Sequence, residues 1–324
     1  MREATALWHD GRKTSSLQTE TLPEPGEGWC EIRTLFSAVS PGTESRVARG
    51  EVPREIRKEM ACPYMGGKFP FPVKYGYSLV GEVVAGPRHR LGKAVHVLHP
   101  HQDRCRVREE DIYPVPPNVP PQRATLASNM ETAVNAVWDS NVTAGDTILV
   151  VGFGTVGSLV TRLVSGFPGV RVQVVDTDGE KVELAREMGF QAAMSPDGGR
   201  RFDLAFHASG TGDGLQTAID RVGFEGTVVD LSWYGSRKVS LALGGTFHTG
   251  RKTIRSSQVS FVSPGKRSRW DRYRRKELVF SCLGDSSYDA HLTGSVQFRD
   301  LPDLFDTLRK STVRELSIVV AYPD

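Results

Sequence analysis

The sequence predicts an α/β protein, a doubly wound parallel sheet joined to a smaller, mostly antiparallel β-domain. Three observations predict it. From Thr147 onward, short and almost wholly apolar runs alternate with helical patterns: "TILVVG" (147–152), "RVQVVD" (171–176), "FDLAFHAS" (202–209) and "GTVVDLS" (226–232). Strands without polar alternation are buried on both faces, and helices between them make the sheet parallel. Residues 1–120 are instead rich in Gly and Pro, with short apolar runs between turn signals, the texture of a compact antiparallel domain. Finally, the first of the apolar strands runs straight into the Gly-rich turn "VVGFGTVGSLV" and a helix.

The elements follow in order. "CEIRTLFSAV", "YSLVGEVVAG", "KAVHVLHP" and "RCRVREEDIYPVP" are the strand candidates of the first domain. "PVPPNVPPQ" (114–122) is a connector, because Pro fixes φ and removes a donor. "RATLASNMETAVNAVWDS" then places Leu126, Met130, Ala133, Val134 and Val137 at helical spacing. Helices are expected at "TVGSLVTRLVSG", "GEKVELAREMG" and "GDGLQTAIDRVG", between the apolar strands. The basic run "GKRSRWDRYRRKEL" (265–278) reads as a solvated helix face whose buried side is Trp270, Leu278 and Val279. Mixed elements and a terminal strand, "RELSIVVAYP", close the chain. The predicted division is 1–120 plus 263–324 for the antiparallel β-domain and 121–262 for the parallel-sheet domain.

Composition excludes several classes. At 324 residues, 39% hydrophobic and 24% charged, the chain supports a large core without staples. A formal charge of +3 is too small to imply nucleic acid or an acidic membrane as partner. Cys30, Cys62, Cys105 and Cys282 are far apart and form no CxxC pair, so neither a zinc cluster nor a disulfide framework is indicated. "MREATALWHDGRKT" has no apolar signal region, and no run of about 18 apolar residues occurs, so a cytoplasmic location is expected.

The turn after the first apolar strand is Gly152-x-Gly154-x-x-Gly157. Gly152 permits the tight turn, Gly154 lets backbone approach a pyrophosphate, and Gly157 lets helix and strand pack closely. The helix N-terminus, at Thr155 and Val156, favours the phosphate charge. This is the pattern of a Rossmann dinucleotide site. The next strand ends in Asp176, whose carboxylate accepts from ribose hydroxyls and repels a 2′-phosphate, which favours NAD over NADP. A turn or N-cap role is the alternative for Asp176. In "HASGTGDG" (207–214), Ser209 and Gly210 stand where backbone nears the cofactor, or merely form a helix cap. Trp233 and Tyr234, just beyond the fourth strand, are placed to wall the nicotinamide or to belong to the core.

These parts together resemble the medium-chain dehydrogenase/reductase superfamily, the alcohol-dehydrogenase-like group, over essentially the whole chain. "GYSLVGEV" stands in the frame of that family's G-H-E-x-x-G-x-V, "PGTE" in its C-x-[ST]-[DE], and "GKAVHV" in its G-D-x-V. The S-x-x-S-x-G-T-E run (37–44) is similar to the branch containing bacteriochlorophyllide hydroxyethyl dehydrogenase. The resemblance implies a GroES-like first domain, a small-molecule substrate, and a homodimer formed through an edge strand such as "KTIRSSQVSFV". It also implies positions for a catalytic zinc, and there the sequence departs. The Cys position is Pro41 (or Ser40), the His position is Tyr77, the Glu after it is Ser78, and only Glu131 keeps a ligand type. A zinc-free enzyme is expected, with Glu131 needing an Arg or capping partner if buried. By the same resemblance His99 lines the substrate pocket, Thr43 relays the substrate proton, and Tyr77 fills the place of a ligand.

Two readings of "HVLHPHQD" compete. On an extended strand His99, His101 and Asp103 share a face and suit a metal, although Pro100 interrupts regular extension. Alternatively His99 or His101, with an ordinary pKa of about 6.5, is the acid/base acting through Thr43, and Tyr77 is the orienting donor. Tyr77 as void-filling packing, Thr43 as a turn hydroxyl and His101 as a loop residue are the bland alternatives. The expected function is a zinc-independent, NAD-dependent oxidoreductase of secondary alcohols and ketones. A zinc-free quinone or enone reductase and a non-catalytic dinucleotide-binding protein are the alternatives.

Overall fold

The computed structural model describes residues 2–323 apart from 23, 25, 200 and 312. It divides into two compact units, Met1–Ser128 with Lys276–Asp324, and Asn129–Arg275.

The first unit opens with a hairpin of β1 (Glu3–Gly11) and β2 (Thr14–Thr21), followed by the long β3 (Trp29–Val39) and helix α1 (Pro41–Ala48). Short strands β4 (Gly66–Gly67) and β5 (Val73–Lys74) precede β6 (Leu79–Ala85), β7 (Ala94–Val97), β8 (Arg104–Arg108) and β9 (Tyr113–Pro114). A four-stranded sheet has the order β2-β1-β5-β4. In the larger sheet β3 pairs antiparallel with β6 and with β8, and β6 with β7. Cys30, Ile32, Leu79, Val83, Val95, Val97, Cys105 and Val107 fill the core between these strands. Residues alternate inward along each strand, so this core follows from period-two patterning.

Helix α2 (Pro121–Ala124) starts on a Pro, which suits the first helical turn, and α3 (Ala127–Ser140) follows. The second unit then runs β10 (Thr147–Val151), α4 (Thr155–Ser165), β11 (Arg171–Val175), α5 (Gly179–Glu187), β12 (Gln191–Ala193), β13 (Phe202–His207), α6 (Gly212–Arg221), β14 (Val222–Asp230), α7 (Thr246–Thr249) and β15 (Thr253–Ser256). Its six strands are all parallel, in the order β12-β11-β10-β13-β14-β15. The chain goes outward from β10 in one direction and then, after β12, in the other. That reversal, between β10 and β13, is where doubly wound sheets bind ligands. Helix α8 (Arg272–Leu283) leads back to β16 (Leu292–Gln297), α9 (Leu301–Lys310) and β17 (Ser317–Ala321), which joins β3 in the first unit. Phe298, Leu301, Phe305 and Leu308 pack with Val39, Ile318 and Val320 in a second core cluster of that unit.

The unit boundaries differ from the sequence expectation at both crossings. Residues 121–128 lie with the first unit, because Arg123 pairs with Asp289 through two bonds of 2.7 and 2.6 Å and Ser128 bonds the Tyr77 carbonyl at 2.7 Å. Residues 263–275 lie with the second, because Ser263 bonds Asn135, Trp270 packs on Trp138 and Arg275 pairs with Glu131. The basic run therefore straddles the division, and its Trp270 and Arg275 are tied to α3. All four strands predicted by apolar runs end one or two residues early, at Val151, Val175, His207 and Asp230. β14 starts at Val222 and ends at Asp230, earlier than predicted at both ends. The residues left over turn outward at the C-terminal edge of the sheet. Among the described residues no helix is long and apolar enough to cross a membrane.

Candidate active site

In the second unit the site grows from the C-terminal ends of the strands. Gly152 takes φ +99°, and a Cβ there would lie 2.5 Å from the Ser209 amide nitrogen, so only Gly lets the two turns touch. Gly157 is buried against the Gly152 carbonyl, leaving no space for a side chain. Gly154 is the N-cap of α4, no side chain caps it, and nothing lies within 4 Å of where its Cβ would be. The first turn, Thr155-Val156-Gly157, thus presents the positive end of an 11-residue helix over open space. A pyrophosphate fits this cradle by backbone alone.

Asp176 is not the N-cap of α5; it forms an Asx turn and also reaches back to the glycine turn. Its Oδ2 accepts from the Phe153 amide at 2.7 Å and its Oδ1 from the Asp178 amide at 3.0 Å, while Asp178 caps α5 through the Glu180 amide. The carboxylate is thereby fixed beside the glycine turn by two backbone amides. Two charge-assisted bonds orient it without a cation.

Ser209 and Gly210 belong to a network that sequence reasoning missed. His207, the last residue of β13, is completely buried and sits between Asp230 Oδ1 at 2.9 Å and Ser209 Oγ at 2.7 Å. Tyr234 reaches Asp230 Oδ2 at 3.0 Å, and Ser232 Oγ accepts from the Gly210 amide. Burial and the neighbouring Asp230 push the Tyr234 phenol up. The one available signal was the pair of polar residues, His207 and Asp230, at the ends of otherwise apolar strands. Trp233 is half-buried and its enclosed indole N–H has no partner among the described residues. A wall beside a ligand that carries an acceptor suits that N–H better than a closed core.

In the first unit Tyr77 lies between β5 and β6. Gly76 holds φ +144°, and a Cβ there would meet Pro100 and His101 at 3.1 Å, so the turn lets the His99–His101 segment close over it. The Tyr77 ring is half-buried, while its hydroxyl end is enclosed and hydrogen-bonded to the side chains of Ser40 and Thr43. Burial, then the Glu44 charge, raise its pKa, with those two bonds opposing; Tyr77 is a phenol, a donor. Sequence reasoning brought Tyr77 and Thr43 together, and the structure does the same.

Behind them stands a second group. Glu44, on α1, is 1% exposed; its Oε1 accepts from the Ser40 amide and its Oε2 meets His101 Nε2, each at 2.8 Å. His101 Nδ1 meets Ser37 Oγ at 2.8 Å, and Ser37 meets the Tyr322 hydroxyl at 2.9 Å. His101 is buried, so the reading of it as a surface loop residue is corrected. Glu44, Ser37 and Tyr322 were not singled out from sequence, because Tyr322 is 285 positions from Ser37.

His99 is placed differently. It is buried, stacked on Tyr64 with centroids 5.4 Å apart, and its Nδ1 bonds the Pro100 carbonyl. Burial lowers its pKa to about 3, with Lys74 and His101 adding to the fall. At neutral pH it is a neutral ring with a donor at Nδ1, so its carriage of a proton as imidazolium is lost. Asp103 turns away to the Thr5 amide at 2.8 Å. His99, His101 and Asp103 thus face three separate partners, and the metal reading of this cluster is corrected.

The zinc that the fold family implies does not fit these residues. Ser40 and Pro41 supply no thiolate, Tyr77 is a phenol bonded to hydroxyls, and Ser78 donates to the Thr125 carbonyl at 2.5 Å. Glu131 is matched to the Arg275 guanidinium at 3.2 Å, both side chains being under one-tenth exposed. The ion pair gives Glu131 the Arg partner that its burial in the second unit requires. Among the described residues no group of three or more His, Cys, Asp or Glu side chains is placed to hold a metal ion.

No protein-family model matches the chain. A curated relative is D-guloside 3-dehydrogenase of Shigella flexneri, 24% identical over 323 residues, covering 91% of this chain and 90% of the relative. Among solved structures, a dehydrogenase of the zinc-binding type from Sinorhizobium meliloti 1021 bound to NADP has a TM-score of 0.78 at 16% identity, over 99% of this chain and all of that one. The short chain alcohol dehydrogenase rspB of E. coli CFT073, complexed with NADH, gives the same TM-score, identity and coverage. The fold is that of the medium-chain alcohol dehydrogenases, with a Rossmann unit and a GroES-like unit.

Proposed function

We propose that this enzyme of the alcohol dehydrogenase/reductase class interconverts a secondary alcohol and its ketone using NAD, without zinc. The relative D-guloside 3-dehydrogenase acts, by its name, on a sugar derivative, which supports a small polyhydroxy substrate. One observation carries the cofactor choice: Asp176 is fixed by two amides beside the glycine turn, where its negative charge meets the adenosine ribose. Gly152, Gly154, Thr155, Val156 and Gly157 hold the pyrophosphate, and Ser209, Gly210 and Trp233 flank the remainder.

Bound nicotinamide supplies the hydride acceptor or donor. The chain's own residues handle the oxygen. Tyr77 donates a hydrogen bond to the substrate oxygen, and Thr43 shares the proton with it. Glu44 and His101 stand behind as the buried reserve that orients α1 and tunes the phenol. Positioned acid–base groups contribute roughly 10²–10⁴-fold, which is the scale expected of Tyr77 and Thr43 together. Four free cysteines fit a reducing, cytoplasmic setting, and β15, at the sheet edge, suits pairing in a homodimer. The S-x-x-S-x-G-T-E run supports the narrower likeness to the bacteriochlorophyllide dehydrogenase branch.

Fluorescence titration tests the cofactor reading. NADH should bind about tenfold or more tightly than NADPH, and Asp176→Ala should erase most of that difference. Equal affinities in the wild type would refute it.

A further inference from the structure

The turns that leave β13 and β14 are joined by side chains rather than by backbone alone. His207 and Asp230 are paired positions at the ends of these parallel strands. The imidazole has a partner at each nitrogen, Asp230 at Nδ1 and Ser209 at Nε2, with Ser232 Oγ and Tyr234 Oη also 3.2 and 3.3 Å from Nδ1. Because the Asp230 carboxylate only accepts, Nδ1 carries a proton, and in the neutral ring Nε2 accepts from the Ser209 hydroxyl. Ser209 Oγ in turn meets Thr211 Oγ1 at 2.9 Å and the Thr211 amide at 3.3 Å. The Gly210 amide donates to Ser232 Oγ at 3.0 Å, and Arg237 donates to the Gly210 carbonyl at 2.8 Å. Thr211 then caps α6 by accepting from the Gly214 amide.

The 209–211 turn is thus tied to the end of β14 at two points, Gly210 directly through Ser232 and Ser209 only through the imidazole. The same turn touches Gly152, the first residue of the phosphate cradle. A stable sheet does not need this device. A buried imidazole with four side-chain partners is costly to assemble, and apolar residues would fill the strand ends as they do in β10 and β11.

We propose that His207 is a positioning residue of the dinucleotide site: by bridging Asp230 to Ser209 it locks the turns after β13 and β14 and so sets cofactor affinity without touching the cofactor. This rests on the dinucleotide reading above. The conservative substitution His207→Asn keeps a donor toward Asp230 and loses the reach to Ser209, while Ser209→Ala cuts the same link from the half-exposed side.

The test is NADH titration by fluorescence, steady-state kinetics and thermal melting on the full chain. Both variants should weaken NADH about tenfold and raise its KM, and His207→Asn should keep kcat within about twofold of wild type. The double variant should be no weaker than either single one, since both break one link. A purely structural role would lower the melting temperature and leave the KM for NADH unchanged in the folded fraction. Wild-type NADH affinity in Ser209→Ala, or additive losses in the double variant, would overturn the proposal. If the wild-type protein binds neither NADH nor NADPH, the dinucleotide reading fails and the proposal fails with it. Unchanged variants of a wild type that binds defeat the proposal alone.

Discussion

Breaking the Glu131–Arg275 pair tests whether an ion partner holds this buried carboxylate. The charges are 3.2 Å apart, with side chains 7% and 6% exposed. At an effective dielectric of about 20 their attraction is about 5 kcal/mol, and desolvating the two ions costs several kcal/mol. The net value of the intact pair is therefore small. Removing one partner is not small, because the survivor keeps its desolvation cost: about 3–5 kcal/mol. Arg275 also donates to Asn135 Oδ1 at 3.2 Å, but Asn135 keeps the Ser263 amide at 3.0 Å, so that loss adds little. Arg275→Met and Glu131→Gln should each lower stability by about 3 kcal/mol or more, and the double variant should lose well under their sum. Urea unfolding of all four proteins measures the cycle. A coupling below about 0.5 kcal/mol would refute the pairing.

Stability should also depend on pH in a defined window. His9 and His99 are buried, and burial lowers both to about 3 from an unfolded value of about 6.5. The native state then binds fewer protons than the unfolded chain between those limits. Their contribution is complete above pH about 6.5 and is lost as pH falls toward 3, each with a slope up to about 1.4 kcal/mol per pH unit. The urea midpoint should drop from pH 7.5 to 5.5 and drop less in His99→Asn; equal drops would show that His99 is not buried neutral. Metal analysis of purified protein should find no stoichiometric zinc, and one equivalent per chain would overturn the zinc-free reading. Tyr77→Phe should lower turnover about 10²-fold and leave NADH affinity unchanged; wild-type turnover would reduce Tyr77 to packing.

Much of the site was legible because local chemistry dictates it. Apolar runs alternating with helices specify a parallel sheet, since no other arrangement buries both faces of such strands. Gly152, Gly154 and Gly157 carry their meaning in spacing, because a tight turn and a close helix admit only Gly. The absence of zinc-type ligands at Pro41, Tyr77 and Ser78 could be read residue by residue. What the residues could not disclose is who meets whom across long separations. Tyr322 reaches Ser37, Glu44 reaches His101, Arg275 reaches Glu131, and Asp230 reaches His207 only because strands and helices distant in sequence are neighbours in the folded units. Those contacts set the surroundings of each group: Glu131 has an ion partner, His99 is a buried neutral ring, and His207 lies between Asp230 and Ser209. Burial changes the cost of a charge by more than residue type does, and burial is a property of the tertiary structure alone.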